Sequence, residues 1–190
     1  MPADDLELAL ALLNTWDEYN REPELLRNHE SLARLLTSAG YEAAAARVTP
    51  ADVERTRALR ERLRLAWSAA SEDEAVAALN AVLADSDARP RLVRRDDGSW
   101  TFAFAPPPDE GPAFLAPLAA AALLEALREH GWERFGTCDA APCRCVYVDR
   151  THGGTRRFCC RLCADRASQA AYRARRATTR RPARGRSRGR

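Results

Sequence analysis

Long apolar runs, lysine and a leader-like N-terminus are all missing from this chain of 190 residues. No run of about eighteen apolar residues occurs, so we expect no membrane-spanning helix. The opening segment, Met-Pro-Ala-Asp-Asp-Leu-Glu, lacks the basic stretch that starts a signal peptide. The sequence therefore predicts a cytoplasmic protein with no membrane partner.

The motifs of common catalytic sites are also missing. No Ser-His-Asp set, glycine-rich phosphate loop or paired-carboxylate motif stands out. The cysteines of Pro142-Cys143-Arg144-Cys145 are one residue too close for the Pro-Cys-x-x-Cys of zinc deaminases, and the His-x-Glu of that pattern is absent. We therefore expect a binding protein rather than an enzyme.

Cysteine is absent from the first 137 residues and abundant after them. The six cysteines are Cys138, Cys143, Cys145, Cys159, Cys160 and Cys163. Cytoplasmic thiols are kept reduced, so a cluster of cysteines favours a metal over disulfides. A shell of four cysteines is closed, whereas a catalytic zinc site keeps an open position. The pattern predicts a structural Zn²⁺ ion.

The spacing of these cysteines offers one preferred set of ligands and two substitutes. We predict that the zinc ligands are Cys138, Cys143, Cys159 and Cys163. Cys145 and Cys160 are spare, and either could replace its neighbour, since Cys160 with Cys163 has the commoner spacing. Segment 146–158 is typical of a hairpin with glycines at its tip, and Cys163 begins a helix whose dipole favours the thiolate. Knuckle, hairpin and helix together predict a small treble-clef-like zinc module.

The net charge of +3 conceals two parts of opposite sign. Residues 1–133 hold 14 arginines against 24 aspartates and glutamates, a formal charge of −10. Residues 134–190 hold 16 arginines against three aspartates, a formal charge of +13. This asymmetry predicts a polyanionic partner for the C-terminal third.

Local patterns predict a mostly helical chain of class α+β. Residues 6–16 are too apolar to distinguish a helix from a strand. Helices are expected over 30–38, after the Thr49-Pro50 cap, from the Ser71/Glu74 capping box to Leu83, and over 114–129. Alternation around Asp96-Asp97-Gly98 indicates a β-hairpin. We predict a helical N-terminal domain with this hairpin over 1–133, the zinc module over 134–178 and a disordered arginine-rich tail over 179–190.

The C-terminal third resembles the CGNR zinc finger. That family has a first cysteine pair, an aromatic hairpin, an Arg-Arg-aromatic-Cys run and a Cys-Gly-Asn-Arg signature that leads into a basic helix. Here the run is Arg156-Arg157-Phe158-Cys159 and the signature is Cys163-Ala164-Asp165-Arg166. The signature departs from the family at its two middle positions and keeps its cysteine and arginine.

The N-terminal part is similar to the ABATE domain that normally accompanies this finger, through the Asn14-Thr15 pair before Trp16. The resemblance covers the chain except its tail. It implies a stress-induced transcription regulator whose finger binds DNA. We hypothesise a bacterial regulator whose N-terminal domain serves in sensing, dimerisation or contact with a small-molecule or protein partner. Asn14 and Thr15 favour caps and turns, so we expect them to hold a helix end to its neighbour.

Side chains of the last third are the candidates for contact with duplex DNA. Helical spacing places Arg166, Gln169 and Arg173 near one face, and in a major groove Arg reads guanine and Gln reads adenine. The full candidate set is Arg156, Arg157, Arg166, Gln169, Arg173, Arg175, Arg176, Arg180 and Arg181. Two other functions stay open: a zinc-dependent adaptor for an acidic protein or RNA, and a thiol redox sensor.

Overall fold

A computed structural model describes residues 5–86, 89–94, 98, 100–103 and 111–179 of the chain. Its helices are α1 (Asp5–Leu13), α2 (His29–Ser38), α3 (Glu42–Ala45), α4 (Pro50–Trp67), α5 (Glu72–Ala84), α6 (Leu115–His130) and α7 (Arg161–Thr179). Its strands are β1 (Arg91–Arg94), β2 (Trp100–Ala103), β3 (Phe135–Thr137) and β4 (Val146–Val148). Within those residues no helix has both the length and the apolar character needed to cross a bilayer. The predicted class, mostly helical with small antiparallel sheets and a cysteine module, is confirmed.

Helices α2, α4 and α5 begin where the sequence supplies N-terminal caps. The backbone N–H and the hydroxyl of Thr49 both donate to the carboxylate of Asp52, at 2.8 and 2.6 Å, where α4 starts. The hydroxyl of Ser71 accepts from the N–H of Glu74 at 3.3 Å, as expected for α5. Asn28 caps α2 by accepting from the backbone N–H three residues further on, at 3.0 Å. Such caps satisfy N–H groups that have no partner inside the helix.

The apolar segment near the N-terminus forms α1 and lies in the middle of the core. Leu12 and Leu13 of this helix are fully buried. They pack in one cluster with Leu63 of α4 and Leu123 of α6, which are equally buried. Burial of each leucine side chain stabilises the fold by about 1.5–3 kcal/mol. Contact on several sides explains why the segment shows no one-sided pattern of apolar residues in the sequence.

Part of the C-terminal third belongs to this same core. Val146 and Val148 of β4 are 4% and 2% exposed and cluster with the buried residues of the helices. Phe135 of β3 also packs against the cluster, with its ring centre 4.8 Å from that of Trp67. The cysteine module is therefore joined to the helices by shared apolar packing as well as by the chain.

Both sheets are two-stranded and antiparallel. β1 pairs with β2 as predicted, while Asp96 and Asp97 of the predicted turn lie outside the described residues. β3 pairs with β4, and Gly136 stands opposite Tyr147. A Cβ at Gly136 would stand 2.5 Å from the Tyr147 ring, so this close approach requires glycine. The predicted hairpin over 146–158 is wrong in its pairing, because the partner of β4 precedes the first cysteine.

The carboxylate of Asp149 explains why the residues after β4 do not pair with it. This buried side chain accepts hydrogen bonds from the Thr151 N–H, the Thr151 hydroxyl and the Arg156 N–H, at 2.8, 2.6 and 2.8 Å. The bonds close residues 149–156 into a loop around the carboxylate, so the segment does not run back along β4. The Thr151 hydroxyl, followed by the backbone N–H groups, keeps the pKa of Asp149 below its ordinary value.

Candidate metal centre and basic helix

Four cysteines that are distant in sequence meet in the C-terminal module. The sulphur atoms of Cys138, Cys143, Cys159 and Cys163 all lie within 4.8 Å of one another. The Sγ atom of Cys159 is 3.8 Å from that of Cys143 and 3.6 Å from that of Cys163. Tetrahedral zinc with Zn–S bonds of about 2.3 Å requires sulphur separations of about 3.8 Å. The four thiols therefore fit a zinc ion in chemistry and in spacing.

The two halves of this group are held by different backbone structures. Cys138 and Cys143 lie in the turn between β3 and β4, which is closed by a bond from the Cys138 N–H to the Cys145 carbonyl at 2.9 Å. Cys159 stands just before α7, and Cys163 lies in the first turn of α7 and is 2% exposed. The N-terminus of a helix favours negative charge, so this position suits a thiolate ligand.

Burial and backbone donors act in opposite directions on these thiols. Burial, followed by the neighbouring thiols, raises the pKa of Cys159, and burial raises the pKa of Cys163 to about 12. Burial works in the same direction on Cys138, but the backbone N–H groups of Cys159 and Ala140 outweigh it and lower the pKa of Cys138. Burial thus favours the protonated thiols of Cys159 and Cys163, whose protons a bound cation would replace. The group thus suits a divalent metal better than free thiolates.

Cys145 and Cys160 stand outside the four-thiol group. Cys160 is exposed on the turn before α7. Cys145 is half-buried and donates its N–H to the Sγ atom of Cys143 at 3.4 Å. Burial, followed by the Cys143 thiol, raises the pKa of Cys145 to about 12, so this side chain is a neutral thiol at pH 7. Of the alternatives Cys159 and Cys160, the structure brings Cys159 together with the other three cysteines.

Asn14 binds the backbone at the end of the metal loop, which we define as residues 138–146. Its side-chain amide donates to the Val146 carbonyl at 2.9 Å and accepts from the Val146 N–H at 2.7 Å. Thr15 behaves as expected of a residue at a helix end, because its hydroxyl donates to the Leu12 carbonyl at 2.7 Å. The Asn-Thr pair therefore ends α1 and also holds a segment of the cysteine module.

Tyr19 and Arg64 reach the same metal loop, and sequence reasoning did not find them. The Tyr19 hydroxyl donates to the carbonyls of Ala140 and Ala141, at 3.0 and 3.2 Å, and its ring packs on the cysteine group. Arg64 of α4 donates to the Arg144 carbonyl at 3.1 Å. The targets are backbone carbonyls of a distant segment, so no pattern around Tyr19 or Arg64 marks them.

Beyond the cysteines, α7 extends away from the rest of the protein. Every side chain over 168–177 is exposed. Four of the predicted nucleic-acid contacts lie on this part of the helix: Gln169, Arg173, Arg175 and Arg176. Arg166 lies nearer the cysteines, with its guanidinium carbon 4.2 Å from the centre of the Tyr19 ring. The helix is thus anchored at its first turns and presents basic side chains to solvent further along.

Arg156 and Arg157 precede the helix and lie beside the metal loop. Arg156 donates to the carbonyl of Cys159, and Arg157 forms an ion pair with Asp139 at 2.8 Å. Both side chains therefore help to hold the segment that carries Cys159. Their contact with nucleic acid stays a prediction, and the remaining candidates, Arg180 and Arg181, lie outside the described residues.

Comparison with known proteins identifies both parts of the chain. Residues 134–176 match the CGNR zinc finger. Residues 6–130 match the ABATE family, described as "Putative stress-induced transcription regulator". A search of curated proteins finds no match. The predicted resemblance is confirmed: the chain belongs to the ABATE family and carries a CGNR zinc finger, whose four-cysteine cluster is consistent with a Zn²⁺ ion.

Proposed function

We propose that this protein is a cytoplasmic transcription regulator that binds duplex DNA through its C-terminal third. One observation carries the proposal: α7 holds Cys163 of the four-thiol group in its first turn and continues as an exposed helix that bears arginines. The zinc ligands in this proposal are Cys138, Cys143, Cys159 and Cys163. A closed four-thiolate shell supplies folding energy and leaves no open coordination position. The proposed role is therefore binding and not catalysis.

The distribution of charge supports a nucleic acid as the partner. Residues 134–190 carry a formal charge of +13, and residues 1–133 carry −10. Phosphates are attracted to residues 134–190 and repelled by residues 1–133, so DNA is expected to approach from the side of α7. Each phosphate that the protein neutralises steepens the dependence of log K on log salt by about 0.9.

The exposed part of α7 has dimensions that suit a groove. With its side chains an α-helix is about 10–12 Å across, and the major groove of B-DNA, which is about 12 Å wide, admits one. Arg166, Gln169, Arg173 and Arg176 follow at spacings of three and four residues, which places them near one face. We assign base contacts to this face and phosphate contacts to the remaining arginines. The N-terminal domain would then receive the signal from a small molecule or a protein.

The proposal is tested with purified, zinc-loaded protein and a short labelled duplex, titrated over a series of salt concentrations. We expect one zinc per chain and an affinity that falls steeply and linearly on a log–log plot. Zinc-loaded protein with no salt-sensitive binding to duplex DNA would contradict the proposal. If structured RNA or an acidic protein displaces the duplex, the result favours the adaptor function over the DNA-binding function.

The same preparation separates the redox alternative. Under that alternative, mild peroxide releases zinc from the wild-type protein, and replacement of both Cys145 and Cys160 by serine prevents the release. If the replacement does not change zinc release, the two cysteines outside the four-thiol group have no sensing role.

A further inference from the structure

The contact between Asn14 and Val146 spans 132 positions of the sequence. It uses both polar groups of the Asn14 amide and both backbone groups of Val146. Val146 is the last residue of the metal loop, three positions after the ligand candidate Cys143. The side chain of Asn14 therefore sets where the turn that carries the first cysteine pair ends.

Burial makes this contact difficult to replace. Val146 is only 4% exposed, so water has little access to its backbone groups. A buried N–H or carbonyl without a partner is costly, so loss of the Asn14 side chain is expected to leave both backbone groups of Val146 unsatisfied. At the other end of the loop the Tyr19 hydroxyl holds Ala140, which is 4% exposed. The loop is thus held from the N-terminal domain on both sides of Cys143.

We propose that Asn14 is a positioning residue for the zinc site, which makes zinc affinity depend on the folded N-terminal domain. Asn14 does not itself offer a ligand, and it acts through the backbone of Val146. Tyr19 contributes in the same way through Ala140. The inference rests on zinc binding by the four cysteines and is independent of whether the protein binds DNA.

The coupling acts in both directions. If folding of the N-terminal domain raises the association constant for zinc by some factor, bound zinc raises the folding equilibrium constant of that domain by the same factor. A partner that displaces the end of α1 moves Asn14 and so weakens the hold on the metal loop. This gives a physical route from the N-terminal domain to the first turn of α7, because Cys163 belongs to the same four-thiol group as Cys143.

The experiment compares two asparagine variants of the full chain. Asn14→Ala removes both bonds to Val146, and Asn28→Ala removes the cap of α2 without touching the metal loop. Zinc affinity is measured by competition with a chromophoric chelator, at a temperature where both variants are folded. The visible spectrum of the cobalt-substituted protein reports the geometry of the four-thiolate site.

For Asn14→Ala we expect zinc affinity to fall about tenfold and the cobalt spectrum to change. Asn28→Ala should lower thermal stability and keep zinc affinity within about twofold of the wild type. Equal zinc affinities and identical cobalt spectra for the two variants would overturn the proposal. If Asn14→Ala does not fold, Tyr19→Phe removes only a hydroxyl and should weaken zinc binding several-fold. Unchanged affinity in Tyr19→Phe then overturns the proposal.

Discussion

Arg60 and Glu24 form a two-point ion pair inside the N-terminal domain. Nη1 of Arg60 lies 2.8 Å from Oε1 of Glu24, and Nη2 lies 2.7 Å from Oε2. The Arg60 side chain is 3% exposed and that of Glu24 is 22% exposed. Arg60 also donates to the hydroxyl of Thr15 at 3.0 Å. The pair therefore ties the segment that follows α1 to the middle of α4.

Glu24→Gln should lower the free energy of unfolding at neutral pH and make it depend less on pH in the acid range. Burial works to raise the pKa of Glu24, but hydrogen bonds and charge from Arg60 outweigh it and lower the pKa below its ordinary value. A lowered folded-state pKa means that the carboxylate stabilises the fold above about pH 4 and that this contribution is lost as pH falls through the folded-state pKa. At pH 7 the substitution leaves the buried Arg60 charge with a weaker partner, and we expect a loss of about 2 kcal/mol.

Urea unfolding at a series of pH values measures this effect. The difference in stability between the wild type and Glu24→Gln should be largest at neutral pH and shrink below about pH 4. Glu54→Gln is the matched control, since Glu54 is 73% exposed and pairs with Arg57 at the surface. That variant should change stability by at most about 0.5 kcal/mol. If the stability difference between the wild type and Glu24→Gln does not change with pH, the Glu24 carboxylate does not have a lowered pKa in the folded protein.

Cys163→Ser should remove zinc, and Cys160→Ser should not. Cys163 is buried in the four-thiol group, whereas Cys160 is exposed and outside it. Elemental analysis should find about one zinc per chain in Cys160→Ser and far less in Cys163→Ser. The reverse result would make Cys160 the ligand and exclude the observed grouping.

Arg173→Ala should weaken DNA binding and reduce its dependence on salt. Arg173 lies on the exposed face of α7 that is assigned to the groove, and loss of its positive charge between the phosphates that line the groove lowers the log–log slope by up to about 0.9. Arg128→Ala is the control because Arg128 is 70% exposed on α6 and pairs with Glu125. Titration of a labelled duplex at several salt concentrations should show an unchanged slope for this control. Equal slopes for both variants would exclude Arg173 from the interface.

Val148→Ala should destabilise the whole protein although the residue lies in the C-terminal third. Val148 is 2% exposed in the core that it shares with the helices, and the lost methyl groups leave a cavity. We expect a loss of about 2 kcal/mol in a single unfolding transition, measured by far-ultraviolet circular dichroism. Val76→Ala on α5, where the side chain is half-exposed, should cost less than about 1 kcal/mol. Unfolding of the C-terminal third alone would contradict the shared core.

Removal of residues 180–190 should weaken DNA binding similarly on every duplex. The segment contains six arginines and no acidic residue. Contacts to phosphates carry no sequence information, so affinity should fall by the same factor on unrelated duplexes. Competition between duplexes of different sequence measures this. A loss confined to one sequence would show that the segment reads bases.

Local sequence by itself determined most of the helices and the metal chemistry. The cap of α4 by Thr49 and that of α5 by Ser71 depend on residues within three positions, so the pattern is visible in the sequence. The four cysteines that come together are the set that spacing and reduced thiol chemistry favoured. The family resemblance was likewise carried by short runs such as Arg156-Arg157-Phe158-Cys159.

Only the tertiary structure determined which residues pair with and bind to the metal loop and β4. The partner of β4 proved to be β3, because the loop around Asp149 prevents the hairpin that Gly153 and Gly154 suggested for segment 146–158. Asn14 looked like an ordinary helix-end residue, and its bonds to Val146 appear only when α1 and β4 meet in the core. A side chain that bonds to a distant backbone group leaves no local pattern, since every residue offers the same N–H and carbonyl. The contacts that join the two parts of this protein are of that kind.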